Sequence, residues 1–280
     1  MKHPKITIFT ISYNGSQYIE DCFISIKNQT YKNWEWLFID DGSEDNTQSI
    51  IEQLKDIYPI KYYRLKENSG RGKARNFGLN KVKTKYMVLL DIDDLMTSNR
   101  LEEYYHSIIK GYDAFVSASY VVSKRNSITG IRPVTYNRRF NLFTHATICI
   151  KSEILKKIQY ADYRYAEDQR IISIIRKNKS VFKCTKPLYI YREEESISLK
   201  GAIKSNYFAF LVNLGLLRFD FNLNDFIYTF SFLLKFIVLK ILFILTKNPE
   251  NIYKKLISKR KKEKIDISYT LEDVLHGITE

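Results

Sequence analysis

Between Ile6 and Leu90 the chain repeats one pattern: a short apolar or aromatic run, a polar cluster, then a stretch with amphipathic helical spacing. The runs predict strands at Ile6–Ile11, Trp34–Asp40, Lys61–Leu65 and Tyr86–Leu90, with helices over Tyr18–Asn28, Thr47–Tyr58 and Gly72–Val82. Repeated strand-helix units imply an α/β fold, a Rossmann-like, mainly parallel central sheet flanked by helices. Ligands of such sheets bind beyond the carboxyl ends of the strands. Three of those ends are acidic or hydroxylated here: Ser12-Tyr13-Asn14, Asp40-Asp41-Gly42-Ser43 and Asp91-Ile92-Asp93-Asp94. One crevice can collect all three.

Past Asn99 the pattern loosens into a helix to about Lys110, strands near Ala114–Val122 and Thr144–Ile150, and helices from Ser152 and over Asp168–Lys177. This half is expected to build an acceptor side. A chain of 280 residues fits one domain of about 200 residues and an appendage. The expected division is a catalytic domain over 1–200 and a helical, basic C-terminal extension over 201–280. Cys22, Cys149 and Cys184 are too scattered for a zinc site and read as reduced, buried thiols. The N-terminus MKHPKITIFTISYN has no apolar signal core, so the domain is expected on the cytoplasmic side.

The chemistry starts at Asp91-x-Asp93-Asp94. Clustered carboxylates repel unless a cation neutralises them, and hard oxygen ligands suit Mg²⁺ or Mn²⁺ bridged to a diphosphate. A solvated turn with a helix cap is the other reading. A calcium loop fails, because Leu95 and Met96 stand where an oxygen ligand and a glycine are needed. Asp40-Asp41-Gly42-Ser43 serves as a tight turn, or offers a carboxylate to a pyrimidine imide or a ribose hydroxyl. Ser69-Gly70-Arg71-Gly72-Lys73-Ala74-Arg75-Asn76 opens a helix with glycines and three cations, which suits phosphate or a basic solvated helix face, though without the P-loop spacing. Glu167-Asp168 opens another helix, where acidic residues are ordinary dipole partners. His145 precedes an apolar run and reads as structural or as approaching the acceptor or the phosphates.

Taken in order, Tyr13-Asn14-Gly15, Asp40-Asp41-Gly42-Ser43, Asp91-x-Asp93-Asp94 and Glu167-Asp168, with Gln29-Thr30-Tyr31 and Ala74-Arg75-Asn76-x-Gly78, resemble glycosyltransferase family 2 with the GT-A fold. The resemblance covers about residues 4–200. It implies an inverting transferase of a nucleotide-diphosphate sugar, with UDP as the expected nucleotide. Carried over by position, Tyr13 and Asp41 would hold the base, Arg71 and Lys73 would lie near the nucleotide, and Asp91 would bind ribose. Asp93 would hold Mn²⁺ or Mg²⁺, with Asp94 sharing the ion. Asp168 would be the general base with Glu167 as its neighbour, and Arg192, in Tyr191-Arg192 with Ser196-x-Ser198, would stabilise the leaving group or form a surface salt bridge. Ile11 departs from the proline or threonine that relatives often carry. A nucleotidyltransferase has no obvious use for Glu167-Asp168, and the intact acidic set argues against a non-catalytic nucleotide-sugar-binding or assembly protein.

The stretch Phe226–Leu245 is apolar except for Tyr228, Thr229, Ser231, Lys235 and Lys240, and a basic cluster follows at Lys254, Lys255, Lys259, Arg260, Lys261, Lys262 and Lys264. Twenty residues just span a bilayer, but a lysine near the middle costs about 2.5–3.5 kcal/mol on insertion scales. A peripheral helix on the anionic inner face of the cell membrane fits better, next to a glycan or lipid-linked acceptor. The other covers for that helix are the catalytic domain and a second copy of the chain, as a homodimer. Net charge is +14, yet much of the excess lies in this tail and no recognition motif accompanies it, so nucleic acid is not expected as a partner.

Overall fold

The computed structural model describes residues 3–122, 127–132, 135–136, 141–163, 165–177, 180–192, 198–217, 223–258 and 271. In chain order the first half runs β1 (Ile6–Ser12), α1 (Ile19–Lys27), β2 (Trp34–Asp40), α2 (Thr47–Lys55), β3 (Ile60–Arg64), α3 (Arg71–Lys81), β4 (Tyr86–Leu89), β5 (Leu95–Met96) and α4 (Arg100–Ile109). The second half adds β6 (Ala114–Val122), β7 (Ile128–Arg132), β8 (Thr135–Tyr136), β9 (Asn141–Leu142), β10 (Cys149–Lys151), α5 (Ser152–Ile158), α6 (Gln169–Lys177) and β11 (Val181–Arg192). Three helices close the described chain: α7 (Leu199–Leu217), α8 (Leu223–Leu245) and α9 (Pro249–Ser258).

The main sheet has the order β3-β2-β1-β4-β10-β6-β11-β5 with β7 on β6. Its first four strands are parallel, as expected, and the second half is mixed: β10 runs antiparallel to both β4 and β6. Side chains alternate in the way a sheet covered on both faces requires. Ile6, Ile8, Trp36, Phe38 and Val88 pack with α1 and α4, while Phe9, Leu37, Ile39, Met87 and Leu89 pack with α3, α5 and α6. Because the chain leaves β1 for β2 on one side and returns as β4 on the other, the crevice opens between the ends of β1 and β4.

Two stretches differ from expectation. The strand predicted over Thr144–Ile150 begins as a 3₁₀ turn at His145–Thr147 and becomes extended only at Cys149. The twelve-residue β11 pairs along β6 with shifts of register on both sides of Pro187, where a ladder donor is missing. Lys183, Lys186 and Pro187 break the periodic pattern that would reveal such a strand.

α7 and α8 form an antiparallel hairpin, with Tyr207 against Phe236 and Phe210 against Phe230. It docks by its polar side. Asp225 of α8 pairs with Arg176 and Lys177 at the end of α6, and Arg176 also lies 4.1 Å from the Tyr228 ring centre. The far half of α8 is left bare: Leu234 is 63% exposed, Val238 54% and Ile244 72%. By length and composition α8 could cross a membrane. Of the basic cluster, Lys254 and Lys255 lie on α9, whereas Lys259, Arg260, Lys261, Lys262 and Lys264 fall outside the described residues.

Candidate active site

The parallel register sets Ser12 beside Asp40, and the two following loops are sewn together. The Asp41 N–H donates to the Ser12 carbonyl at 2.8 Å. Asn14, at φ 52°, donates its N–H to Ser43 Oγ at 2.9 Å and accepts the Glu44 N–H on its side-chain carbonyl at 2.8 Å. Asparagine tolerates that left-handed backbone better than most residues, and the result is a Tyr13 ring 45% exposed at the crevice lip. Asp40 is fully buried and serves the scaffold, accepting from the Ser43 N–H and the Tyr62 hydroxyl. Asp41 accepts three hydrogen bonds, from the Ser69 N–H and hydroxyl and from the Gly70 N–H. It is buried and, through these bonds, holds the loop that opens α3.

Asp91, Asp93 and Asp94 follow β4, and they do not share one role. Asp94, expected to help hold a metal, is buried; its Oδ2 accepts from the Tyr189 hydroxyl at 2.7 Å and its Oδ1 from the Arg192 N–H at 2.8 Å. Burial, then the charges of Asp93 and Asp91, push its carboxyl well above the usual range. It pins the loop to β11 rather than facing the crevice. The same Tyr189 oxygen accepts the Asp91 N–H at 3.3 Å, so one phenol sets both ends of the acidic turn. Among the described residues no group of three or more His, Cys, Asp or Glu side chains could hold a metal alone. Asp91 and Asp93, both only partly buried, are hard donors that fit an ion taking its other ligands from phosphate or water.

The centre of the site is Arg75, which faces inward from α3. Its Nη1 donates to Glu167 Oε1 at 2.6 Å, its Nη2 to Asp91 Oδ1 at 3.2 Å, and its guanidinium lies 5.2 Å from the Tyr160 ring centre. Burial favours a neutral Asp91, but the Arg75 charge outweighs it and, with Arg71, holds that carboxyl below its usual range. Asn76 makes two hydrogen bonds to the Tyr160 backbone, and a side chain at Gly72 would strike the Ala161 carbonyl at 2.5 Å. α3 is thus clamped to the segment that carries Glu167 and Asp168. Ala166 sits at φ 56°, a backbone strained for a residue with a Cβ, directly before that acidic pair. Asp168 is partly buried; burial, then the Glu167 charge, raise its carboxyl to about 6 against the pull of Arg75.

Other expected contributors lie further off. Arg71 is exposed at the start of α3, and Lys73 leans toward Asp162 at 3.7 Å. Arg192 pairs with Asp21 on α1, the salt-bridge alternative, while Ser196 of its segment falls outside the described residues. His145 is buried with Nε2 2.9 Å from the Tyr160 hydroxyl, and burial followed by Arg75 lowers it to about 3. A neutral imidazole propping Tyr160 is a support, not an acceptor base. Arg75 and Tyr189 escape a reading by strand ends. In the sequence Arg75 stands as one of three cations at the start of α3 and within Ala74-Arg75-Asn76-x-Gly78, neither of which shows that it turns inward, and Tyr189 stands only in an aromatic alternation over Tyr189–Tyr191.

Residues 7–159 match the family model described as glycosyl transferase family 2. A Bacillus subtilis protein named as a candidate teichuronic acid biosynthesis glycosyltransferase, TuaG, is 28% identical over 68% of this chain and 79% of its own length. The Escherichia coli UDP-Glc:alpha-D-GlcNAc-diphosphoundecaprenol beta-1,3-glucosyltransferase WfgD is 33% identical over 48% of this chain and 54% of its own. Among solved structures, S. aureus TarS 1–349 in complex with UDP-GlcNAc superposes with a TM-score of 0.66 at 19% identity, covering 87% of this chain and 74% of the TarS 1–349 chain.

Proposed function

The chain belongs to glycosyl transferase family 2 and has the GT-A fold, and on that premise we propose that it moves a sugar, with inversion, from a UDP-sugar to a hydroxyl of a glycan or lipid-linked acceptor. The observation that carries this reading is the buried Arg75, whose guanidinium joins Asp91, on the donor side, to the Glu167-Asp168 element. A donor carboxylate and a candidate base on one fixed cation suit a single displacement, in which both substrates must be held together. UDP is favoured by the donors in the names of WfgD and the TarS complex. WfgD also supports a diphospholipid-linked acceptor.

In the proposed step the acceptor oxygen bonds to the anomeric carbon as the bond from that carbon to the diphosphate oxygen breaks. The acceptor proton passes to Asp168. Tyr13 lies against the base, Asp41 orders the Ser69-Gly70 loop, and Arg71 and Lys73 draw the phosphates to the start of α3. Asp93 with Asp91 would hold Mn²⁺ or Mg²⁺, which supplies positive charge for the departing diphosphate. Glu167 keeps Arg75 in place. Incubated with a panel of nucleotide sugars and Mn²⁺, the protein is expected to release UDP from a UDP-sugar; release from none of them overturns the transfer reading.

The metal assignment has its own test. UDP at roughly a hundred times its Kd is expected to stabilise the fold by about 2.7 kcal/mol with Mn²⁺ present, and much less in EDTA. Asp93→Asn should remove most of that difference. Equal thermal shifts with Mn²⁺ and with EDTA would reject a shared ion.

The same proposal gives residues 201–280 the task of holding the enzyme on the inner face of the cell membrane, supported by the bare half of α8 and the lysines of α9. Replacing Ile237, Ile241 and Ile244 together by serine is expected to weaken binding to anionic vesicles at least about tenfold, since each loses apolar area that would enter the lipid. All three are exposed, so Tm should hold. Vesicle binding equal to the unaltered chain would move the contact elsewhere.

A further inference from the structure

The first half of α7 lies between the loop that precedes the proposed base and the free end of α8. Tyr165, three residues before Asp168, stacks on Phe208 with ring centres 6.2 Å apart, and Tyr163 packs on the same ring at 5.3 Å. Lys204 places its ammonium 5.4 Å from the Tyr165 ring centre. One turn earlier on α7, Lys200 places its own 5.9 Å from the ring centre of Phe243, beside the exposed Ile244 and Leu245. Both lysines are exposed, and at this spacing both project from one side of the helix. Glu250 of α9, the acid nearest the start of α7 in the hydrogen-bond pattern, accepts the Leu199 N–H.

Moving outward from Asp168, the surface thus offers a tyrosine pair of which Tyr163 is exposed, then two ammonium groups, then bare aliphatic side chains. A glycosyl diphosphoryl lipid presents the matching parts in the same order: sugar, two phosphates, hydrocarbon. Aromatic faces suit sugar rings, flexible ammoniums suit phosphate charge, and the end of α8 suits an alkyl chain. Resting on the transfer reading above, we infer that Lys200 and Lys204 form the diphosphate subsite for a lipid-linked acceptor, with Tyr165 beside its sugar and the end of α8 beside its lipid. The hairpin of α7 and α8 is then part of acceptor recognition as well as a membrane contact.

The test compares the full chain with a Lys200→Gln, Lys204→Gln variant on two kinds of phosphatidylcholine vesicle, one containing a polyprenyl diphosphate and one containing phosphatidylglycerol at matched surface charge. The unaltered chain should prefer the diphosphate vesicles. The variant should lose about tenfold or more on them, the scale of two cations at an anionic surface, and less than about threefold on phosphatidylglycerol. Equal losses on both vesicles would reduce the pair to general basic charge and overturn the subsite; so would no loss on either. Inorganic diphosphate that releases the chain as effectively as the polyprenyl form would show that the contact reads free anion rather than lipid, and overturn the lipid assignment. Donor binding is read separately through the UDP thermal shift, which the variant should keep. Failure of the unaltered chain to release a nucleoside diphosphate from any nucleotide sugar, with vesicle selectivity intact, would remove the transfer reading and leave the diphosphate subsite standing, whereas absence of the UDP shift alone would remove only UDP as the nucleotide.

Discussion

Arg75→Met is expected to lower stability by roughly 3–5 kcal/mol, the usual cost of removing one partner from a buried ion pair, and Tm by about 10 °C. The reason is Glu167. Its carboxylate is buried, its hydrogen bond to Arg75 is 2.6 Å long, and its neighbours Asp91 and Asp168 are both acidic. Without the guanidinium the buried Glu167 charge loses the cation that neutralises it. Adding Glu167→Gln removes the stranded charge and should restore most of the lost stability, because Asp91 is partly open to water. Transfer should stay low in that double variant, since nothing then ties Asp91 to the base loop. A Tm for Arg75→Met within about 1 °C of the unaltered chain would show that water already screens these carboxylates, and would end the case for Arg75 as the joint of the site.

That the role of Arg75 has to be found in three dimensions says where sequence reading stops. The strands of the parallel half are legible because both faces of the sheet are covered: Trp34–Asp40 has seven buried residues in a row, a run of strand length bounded by polar turn residues. The acidic strand ends are legible for a related reason, since a carboxylate just past a buried strand must meet a cation, a donor or water. Which of these it meets is not written locally. Asp93 and Asp94 are adjacent and identical, yet Asp94 turns back to Tyr189, on a strand that begins near residue 181 and is disguised by Lys183, Lys186 and Pro187. Asp41 spends three acceptor positions on Ser69 and Gly70, partners 28 and 29 residues away. Arg75 shares its helix with Arg71 and Lys73, and a spacing rule cannot tell the cation that faces Glu167 and Asp91 from the two that face solvent. The docking of α8 inverts the ordinary rule that the apolar side goes inward. Arg176 and Lys177 end α6, where their charge suits the helix dipole, and Asp225 meets them there, so the aliphatic side is left outside.

Asp168→Asn is expected to reduce transfer by at least about a hundredfold and by up to about ten-thousandfold, the span of general-base catalysis, with nucleotide affinity nearly unchanged. The amide keeps the size of the side chain and loses only the ability to take the acceptor proton. The charge environment makes the prediction sharper. Burial and the neighbouring Glu167 raise the Asp168 carboxyl to about 6, so in the free enzyme the base is ionised only above that pH. The acid limb of kcat/KM should bend near pH 6 instead of near the ordinary aspartate value of about 3.9, and Asp168→Asn should flatten it. Stability moves the other way. A carboxyl raised on folding favours the protonated fold, a contribution present below the ordinary value and lost as pH rises through about 6. At pH 7 the aspartate is therefore held ionised against its surroundings, and the neutral amide should leave Tm unchanged or raise it. Glu167→Gln should do the reverse, lowering Tm by loosening Arg75 while costing less transfer than the aspartate. Were Glu167→Gln dead and Asp168→Asn near normal, the base would be Glu167 and Arg75 would be its counter-ion. Were both variants active, Glu167-Asp168 would be a helix start with an ion pair, and the acceptor proton would leave by another group.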